Sequence, residues 1–187
     1  LGSPSLAKKL IQHIRTVTSL PIKMVFLSHY HADHIYGAQV FREIGAELIA
    51  PAGYDKYLES PFAQTRLDER RFSLSPWVNG KTQLQAPDRV VTESEKFTLG
   101  DTHFTVNLLG SAHSQGDMTL YVDNDKALFS GDIIFEGRVP YLGDANTKHW
   151  LETLIKFETD HVIALIPGHG PHAKKPSEAI TLTRRYL

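Results

Sequence analysis

The sequence Ser28-His29-Tyr30-His31-Ala32-Asp33-His34 directly follows a short apolar segment, residues 22–27. Three imidazoles and one carboxylate therefore lie within six residues, at the end of a predicted strand. Alternate residues of an extended backbone share a face, so His29 and His31 can point to the same side. Asp33 and His34 follow one turn later and can serve a second centre beside the first. Because Zn²⁺ prefers nitrogen ligands from His and oxygen ligands from carboxylates, this run predicts a metal site.

Composition describes a chain that can bury one core. It has 187 residues, of which 41% are hydrophobic and 22% charged, so one domain over residues 1–187 is expected. The net charge of -1 and the lack of a Lys/Arg run argue against nucleic acid or an anionic membrane as a partner. No apolar run approaches the roughly 20 residues that span a bilayer, so a soluble protein is expected, with cytoplasm and periplasm both open. The absence of Cys excludes disulfides and thiolate ligands.

Hydrophobic spacing in the first fifty residues predicts alternating helices and strands. Ser3 and Pro4 are typical of a helix start, and apolar residues then recur at helical spacing as far as Val17. Residues 22–27 and 47–50 are predicted strands, separated by a helix that Gly45 closes. Strand, helix, strand in this order predicts a βαβ unit with a parallel pair.

Residues 52–87 have weaker periodicity and are interpreted as helix and loop lying over the site. They form either a lid that shapes the substrate pocket or a solvated helix with a few core aromatics.

The second half predicts more strands and two helices. A hairpin is predicted in residues 97–108, and further strands at 89–92, 118–122, 127–129 and 162–166. Asn146 is the predicted cap of a helix that extends to Phe157, and residues 177–187 are predicted to form a closing helix.

Three further side chains of the metal-binding type follow predicted strands, each in a turn that contains Gly: His113, Asp132 and His169. Loops beyond strand ends gather the chemistry of layered α/β folds, so separate segments can converge on one cleft. Each residue alone is weak evidence, because a single His is more often structural and a single Asp in a turn is usually a turn former. The remaining histidines are interpreted as surface or packing residues: His13, His103, His149, His161 and His172.

The order of these motifs resembles the signature of the metallo-β-lactamase-fold hydrolase superfamily. After the His29 to His34 run come Gly110-Ser111-Ala112-His113, then Ser130-Gly131-Asp132, then Pro167-Gly168-His169-Gly170. The resemblance runs from about Leu1 to the C-terminus and is weakest at residues 52–87. It implies an α/β (α+β) fold, the αββα sandwich of this superfamily, with metals at one rim of two sheets.

The resemblance also implies a dinuclear site in which Asp132 bridges two metals. The first metal would be held by His29, His31 and His113, and the second by Asp33, His34 and His169. Cysteine-using β-lactamases have a thiolate where this chain has Asp132, so the site is more similar to that of glyoxalase II-type and lactonase-type relatives. Residues 112–117, 131–135 and 137–140 are most similar to quinoprotein relay or sulfur-oxidation-associated zinc metallohydrolases of bacteria.

The N-terminus departs from the family pattern. Members normally begin with a hairpin or more of sheet and a Val-Asp-Thr-Gly-like strand end, and Leu1-Gly2-Ser3-Pro4 resembles only the tail of that element. The expectation is that these strands are missing from the numbered chain, or that a second copy supplies them in a homo-oligomer, because an open sheet edge is a liability.

The implied function is hydrolysis of a small-molecule ester, thioester, lactone or lactam by a metal-bound hydroxide. Zn²⁺ is the expected cofactor, two per chain, with iron and manganese as alternatives. Asp33 is the candidate that orients the nucleophile or passes its proton. Arg138 and Tyr141 are candidates for binding an oxyanion or carboxylate of the substrate, although Arg138 could instead pair with a surface carboxylate.

Two residues are candidates for supporting the ligands. Asp117 and Ser28 could fix imidazole tautomers or simply stabilise turns. Two other functions stay open: a persulfide dioxygenase that holds one Fe(II), and a non-catalytic accessory protein that retains the site for stability.

Overall fold

The computed structural model describes residues 1–156 and 161–187. The chain divides into two compact units, Leu1–Val90 and Val91–Leu187. No helix in the described part is long and apolar enough to cross a membrane.

The first unit is built around a sheet of three strands in the order β1-β2-β3. Strands β1 and β2 pair in parallel, with Met24 opposite Glu47, so the predicted βαβ unit is confirmed. The elements in chain order are α1 (Pro4–Val17), β1 (Met24–Phe26), α2 (Ala32–Ile35), α3 (Ala38–Glu43), β2 (Glu47–Pro51), α4 (Tyr54–Glu59), α5 (Pro61–Ser73) and β3 (Arg89–Val91), which ends at the boundary.

Helix α1 begins where the sequence predicts. Ser3 is the N-cap, and its side-chain oxygen accepts a hydrogen bond from the N–H of Leu6 at 3.3 Å. The buried face of the helix carries Ala7, which is 0% exposed, whereas Leu6 is 49% exposed. A side chain added at Gly37 would come within 3.0 Å of the Ala7 Cβ, so two small residues allow α1 to pack closely here.

The core of the first unit is mixed aliphatic and aromatic. Tyr36 and Tyr54 are fully buried there with Leu48 of β2. Residues 52–87 form α4, α5 and connecting loops, as predicted, and Leu67 of α5 packs into the same core.

The second unit is built around a five-stranded sheet in the order β4-β5-β6-β7-β8. Neighbours from β4 to β7 are antiparallel, and β7 pairs in parallel with β8. The elements in chain order are β4 (Glu95–Leu99), β5 (Thr102–Gly110), β6 (Asp117–Val122), β7 (Ala127–Gly131), α6 (Thr147–Lys156), β8 (Ala164–Pro167) and α7 (Pro176–Tyr186). The predicted hairpin is β4 and β5.

The helices of the second unit cover a core of its own. Asn146 caps α6 as predicted, because its side-chain oxygen accepts the N–H of His149 at 3.2 Å. Trp150 and Leu154 of this helix are 0% exposed and pack with Ile133 and Ile134. Phe157, predicted on the same helix, lies outside the described residues.

Candidate metal centre

The loop after β1 gathers the first group of predicted ligands. His29 is 1% exposed, and its Nε2 atom lies 3.1 Å from Nδ1 of His31. The prediction that these two side chains share a side is therefore confirmed. Ser28 Oγ lies 3.1 Å from Nδ1 of His29, so Ser28 contacts the imidazole in the way expected of a supporting residue.

A short helix that the sequence did not predict places the other two ligands of this group. His31 is the extended N-cap of α2, and Asp33 and His34 lie within its single turn. The ring centroids of His34 and His29 are 4.2 Å apart, and His34 Nε2 lies 3.4 Å from Asp33 Oδ2. All four predicted ligands of the first unit thus form one cluster.

Gly2 allows the N-terminal segment to pass close to this cluster. A Cβ added at Gly2 would lie 3.3 Å from the Cα of Asp33. The carbonyl of Leu1 also accepts the N–H of Gly37 at 2.7 Å. A larger residue at position 2 would therefore press on a predicted ligand.

The turn after β7 carries the centre of the second group. Asp132 is 5% exposed, and its Oδ2 atom lies 3.4 Å from His113 Nε2 and 3.3 Å from His169 Nε2. One carboxylate oxygen therefore faces two imidazoles that come from distant parts of the chain.

Asp117 organises the turn that presents His113. Its carboxylate is 2% exposed and accepts hydrogen bonds from the N–H groups of Ala112 and Ser114 at 3.0 and 2.8 Å, and from Ser114 Oγ at 3.0 Å. These bonds hold the backbone on both sides of His113. Asp117 thus stabilises the turn, which is one of the two roles that the sequence predicts for it.

The Pro-Gly-His-Gly turn needs its first glycine for a close approach. A Cβ at Gly168 would collide with Asp132 Oδ1 and with the backbone of Gly131. Any side chain at position 168 would therefore displace the carboxylate that faces His113 and His169.

Two aromatic residues line the second group, and the sequence did not assign them to the site. Phe135 stacks on His169 with centroids 6.0 Å apart, and Trp150 meets His113 edge-on at 5.3 Å. The Trp150 indole donates to the carbonyl of Ile133 at 2.9 Å, which fixes the ring. The sequence offers one indication that Phe135 lies near the site, because it follows Asp132 by only three residues.

The two candidate substrate residues lie near ligands of the second unit. Arg138 Nη1 is 3.4 Å from Nδ1 of His169, and the Tyr141 ring centroid is 6.3 Å from that of His113. Tyr141 is 55% exposed, and a Cβ at Gly143 would collide with its hydroxyl. A role in binding substrate stays a prediction.

Two histidines outside the signature have contacts elsewhere. His149 Nε2 lies 2.8 Å from the carbonyl of Leu109, and His103 Nδ1 lies 3.0 Å from Thr98 Oγ1.

The donors present fit a metal ion. The chain has groups of His and Asp whose ligand atoms could hold one. Imidazole nitrogen and carboxylate oxygen are the ligands of zinc sites that use no cysteine, and they also suit iron and manganese. The burial of His29, His113 and Asp132 favours this interpretation, because buried charged and polar groups are stabilised by pairing or by metal coordination.

Comparison with known proteins identifies the class. The model of the metallo-beta-lactamase superfamily matches residues 2–169, and the chain belongs to this superfamily. It is 28% identical over 155 residues to acyl-coenzyme A thioesterase MBLAC2 of Gallus gallus, covering 76% of this chain and 54% of that protein. It is 26% identical over 166 residues to hydroxyacylglutathione hydrolase of Brucella abortus (strain 2308), covering 86% and 53%. The chain spans about half the length of these curated relatives.

Solved structures show the fold. The chain superposes on a metallo-beta-lactamase from Pontibacter korlensis with a TM-score of 0.70 at 19% identity, covering 96% of this chain and 75% of that one. With the sec-alkylsulfatase Pisa1 from Pseudomonas sp. the TM-score is 0.75 at 19% identity, covering 98% and 35%. The predicted metallo-β-lactamase fold is thereby confirmed.

Proposed function

We propose that this chain is the metal-binding part of a dinuclear zinc hydrolase that cleaves thioesters or the related ester, lactone and lactam bonds. The observation that carries the proposal is the placement of one Asp132 oxygen within 3.4 Å of both His113 and His169. A carboxylate shared by two histidines is suited to bridge two cations. The chain's membership of the superfamily supports the same conclusion.

The proposed ligands are those that the family resemblance implies. His29, His31 and His113 would hold one ion; Asp33, His34 and His169 would hold the other, with Asp132 between the two. The clustering of these residues inside each unit supports the assignment. When bound, two such ions supply Lewis acidity and a water of lowered pKa.

Other groups of the chain have separate roles. The Asp33 side chain is 52% exposed, so its carboxylate can accept a proton from a reacting water and release it to solvent. Phe135 and Trp150 exclude water from one side of His113 and His169, which strengthens electrostatic interactions there. Arg138 offers a guanidinium beside His169 for an anionic group of the substrate.

Thioesters are the substrate class to test first. The names of two relatives contain acyl-coenzyme A and hydroxyacylglutathione, compounds in which an acyl group is joined to a thiol. Both thiol carriers bear carboxylate or phosphate groups, for which Arg138 is a suitable partner.

The test combines metal analysis with a hydrolysis panel. Purified protein is expected to hold two zinc ions per chain and to cleave at least one acyl thioester, lactone or β-lactam faster than its metal-free form. Asp132→Asn is expected to lose zinc and turnover, whereas His172→Ala, which changes an exposed histidine outside the ligand set, retains both.

Two results would count against the proposal. Zinc-loaded protein that leaves the whole panel uncleaved would reject the hydrolase function. One iron per chain, together with oxygen uptake in the presence of glutathione persulfide, would favour the dioxygenase instead.

A further inference from the structure

A tyrosine lies between two of the proposed ligands and touches one of them. Tyr30 separates His29 from His31 in the chain and is only 5% exposed. Its ring meets the His31 imidazole edge-on, with centroids 5.2 Å apart and an interplanar angle of 85°. The position of the Tyr30 ring therefore limits how the His31 imidazole can rotate.

A second contact of the Tyr30 ring comes from helix α4. Tyr57 lies flat against Tyr30, with centroids 4.3 Å apart and an interplanar angle of 14°. Stacked aromatic rings at this distance stabilise the fold by more than their buried area alone would provide. The stack thus connects α4 to the loop that carries His29 and His31.

Helix α4 is itself firmly held. Tyr54, one turn before Tyr57, is 0% exposed, and its hydroxyl donates to the carbonyl of Gln85 at 3.3 Å. Burial raises the pKa of Tyr36 and of Tyr54, and the neighbouring Tyr57 raises both further. Tyr57 therefore lies close to two buried tyrosines of the same core.

We propose that Tyr57 is a positioning residue for the metal centre. Its ring holds Tyr30, and through Tyr30 it keeps His29 and His31 in the orientation that binds zinc. The inference rests on the proposed function and extends it, because it assigns to α4 a role in supporting the ligands. A merely structural Tyr57 would contribute to folding without affecting zinc affinity in the folded protein.

The experiment compares zinc affinity with stability in the full chain. Tyr57→Leu removes the ring, and its zinc affinity, measured by competition with a chromophoric chelator, is expected to fall about tenfold. Tyr57→Phe keeps the ring and is expected to bind zinc within about twofold of the wild type, because the stack survives. The visible spectrum of the Co²⁺-substituted protein should change in Tyr57→Leu and stay the same in Tyr57→Phe.

Leu58→Ala is the matched control. Leu58 is the next residue of α4 and is partly buried against the same core, so the substitution should lower the thermal midpoint of the metal-free protein and leave zinc affinity unchanged. If Tyr57→Leu is too unstable to purify, Tyr57→Met replaces it under the same expectation.

Three outcomes are informative. Wild-type zinc affinity in Tyr57→Leu, or an equal loss of affinity in Leu58→Ala, would overturn the positioning role and leave the proposed function intact. A wild-type protein that binds no zinc would overturn both.

Discussion

The Asp117 carboxylate fixes the turn that carries His113. It is almost fully buried and accepts bonds from both backbone N–H groups that flank this ligand. Both N–H groups donate to one oxygen of the carboxylate, and the Ser114 hydroxyl donates to the other. An amide replaces one of these two accepting oxygens by a donor, so either the N–H groups or the Ser114 hydroxyl loses its acceptor. Asp117→Asn is therefore expected to lower the free energy of unfolding by about 1–3 kcal/mol in urea titrations and to weaken zinc binding.

Asp125→Asn serves as the control, because Asp125 is exposed in the turn between β6 and β7. Its unfolding curve should overlay that of the wild type. Equal curves for Asp117→Asn and the wild type would show that the turn does not depend on the carboxylate.

The burial of Tyr36 is expected to make the free energy of unfolding depend on pH above pH 10. Its side chain is 0% exposed, and its hydroxyl has no hydrogen-bond partner among the residues that the structure describes. Burial raises the pKa of Tyr36 to about 12 from an ordinary value of 10.0. Between these pH values the Tyr36 hydroxyl has lost its proton in the unfolded chain and retains it in the folded chain. The contribution of Tyr36 to the free energy of unfolding is therefore complete below pH 10 and is lost as the pH rises to 12.

The expected loss is about 3 kcal/mol for Tyr36, and Tyr54, whose pKa burial also raises, adds to it. Tyr36→Phe should be at least as stable as the wild type at pH 7, since no hydrogen bond is lost, and should lose less stability between pH 10 and 12. Urea titrations across this range measure the difference. Tyr186→Phe, which alters a half-exposed tyrosine, should follow the wild-type pH dependence.

The turn after β8 packs closely against the turn after β7. The N–H of Gly168 donates to the carbonyl of Gly131 at 2.8 Å, and the space for a Cβ at position 168 is occupied by Asp132. Gly168→Ala is therefore expected to move the Asp132 carboxylate and reduce zinc affinity at least tenfold, as measured by chelator competition.

Gly80→Ala is the matched substitution, because a Cβ at Gly80 meets nothing within 4 Å. It should bind zinc like the wild type. Unchanged affinity in Gly168→Ala would mean that Asp132 can relax without cost.

The local sequence pattern predicts where helix α1 begins but does not predict which of its side chains faces the core. Its start at Ser3 and Pro4 follows from cap chemistry, and the predicted start is confirmed. The apolar spacing did not show that Ala7, and not Leu6, faces the core. That choice depends on Gly37, which lies between α2 and α3 and allows close approach only to a small side chain.

For the whole molecule, bound metal is expected to contribute a large part of the free energy of unfolding. A ligand that binds only the folded state stabilises it by about 4 kcal/mol at a free concentration 1,000 times Kd. Zinc is therefore expected to raise the thermal midpoint of metal-free protein, and chelation to reverse the change. Asp132→Asn should lose most of the shift and His172→Ala none of it. Identical midpoints with and without zinc would contradict a structural contribution from the metal.

The sequence by itself determined which side chains can bind metal and the order of helices and strands around them. Ligand chemistry, cap residues and short spacings are local properties, so His29, His31 and the parallel β1–β2 pair were predictable. The family resemblance implied a place for Asp132 between the two ligand sets, but only the tertiary structure showed that one of its oxygens faces both His113 and His169, and that Tyr57 stacks on Tyr30. These contacts join residues that are distant in the chain, and their geometry depends on how side chains pack, which hydrophobic periodicity does not encode.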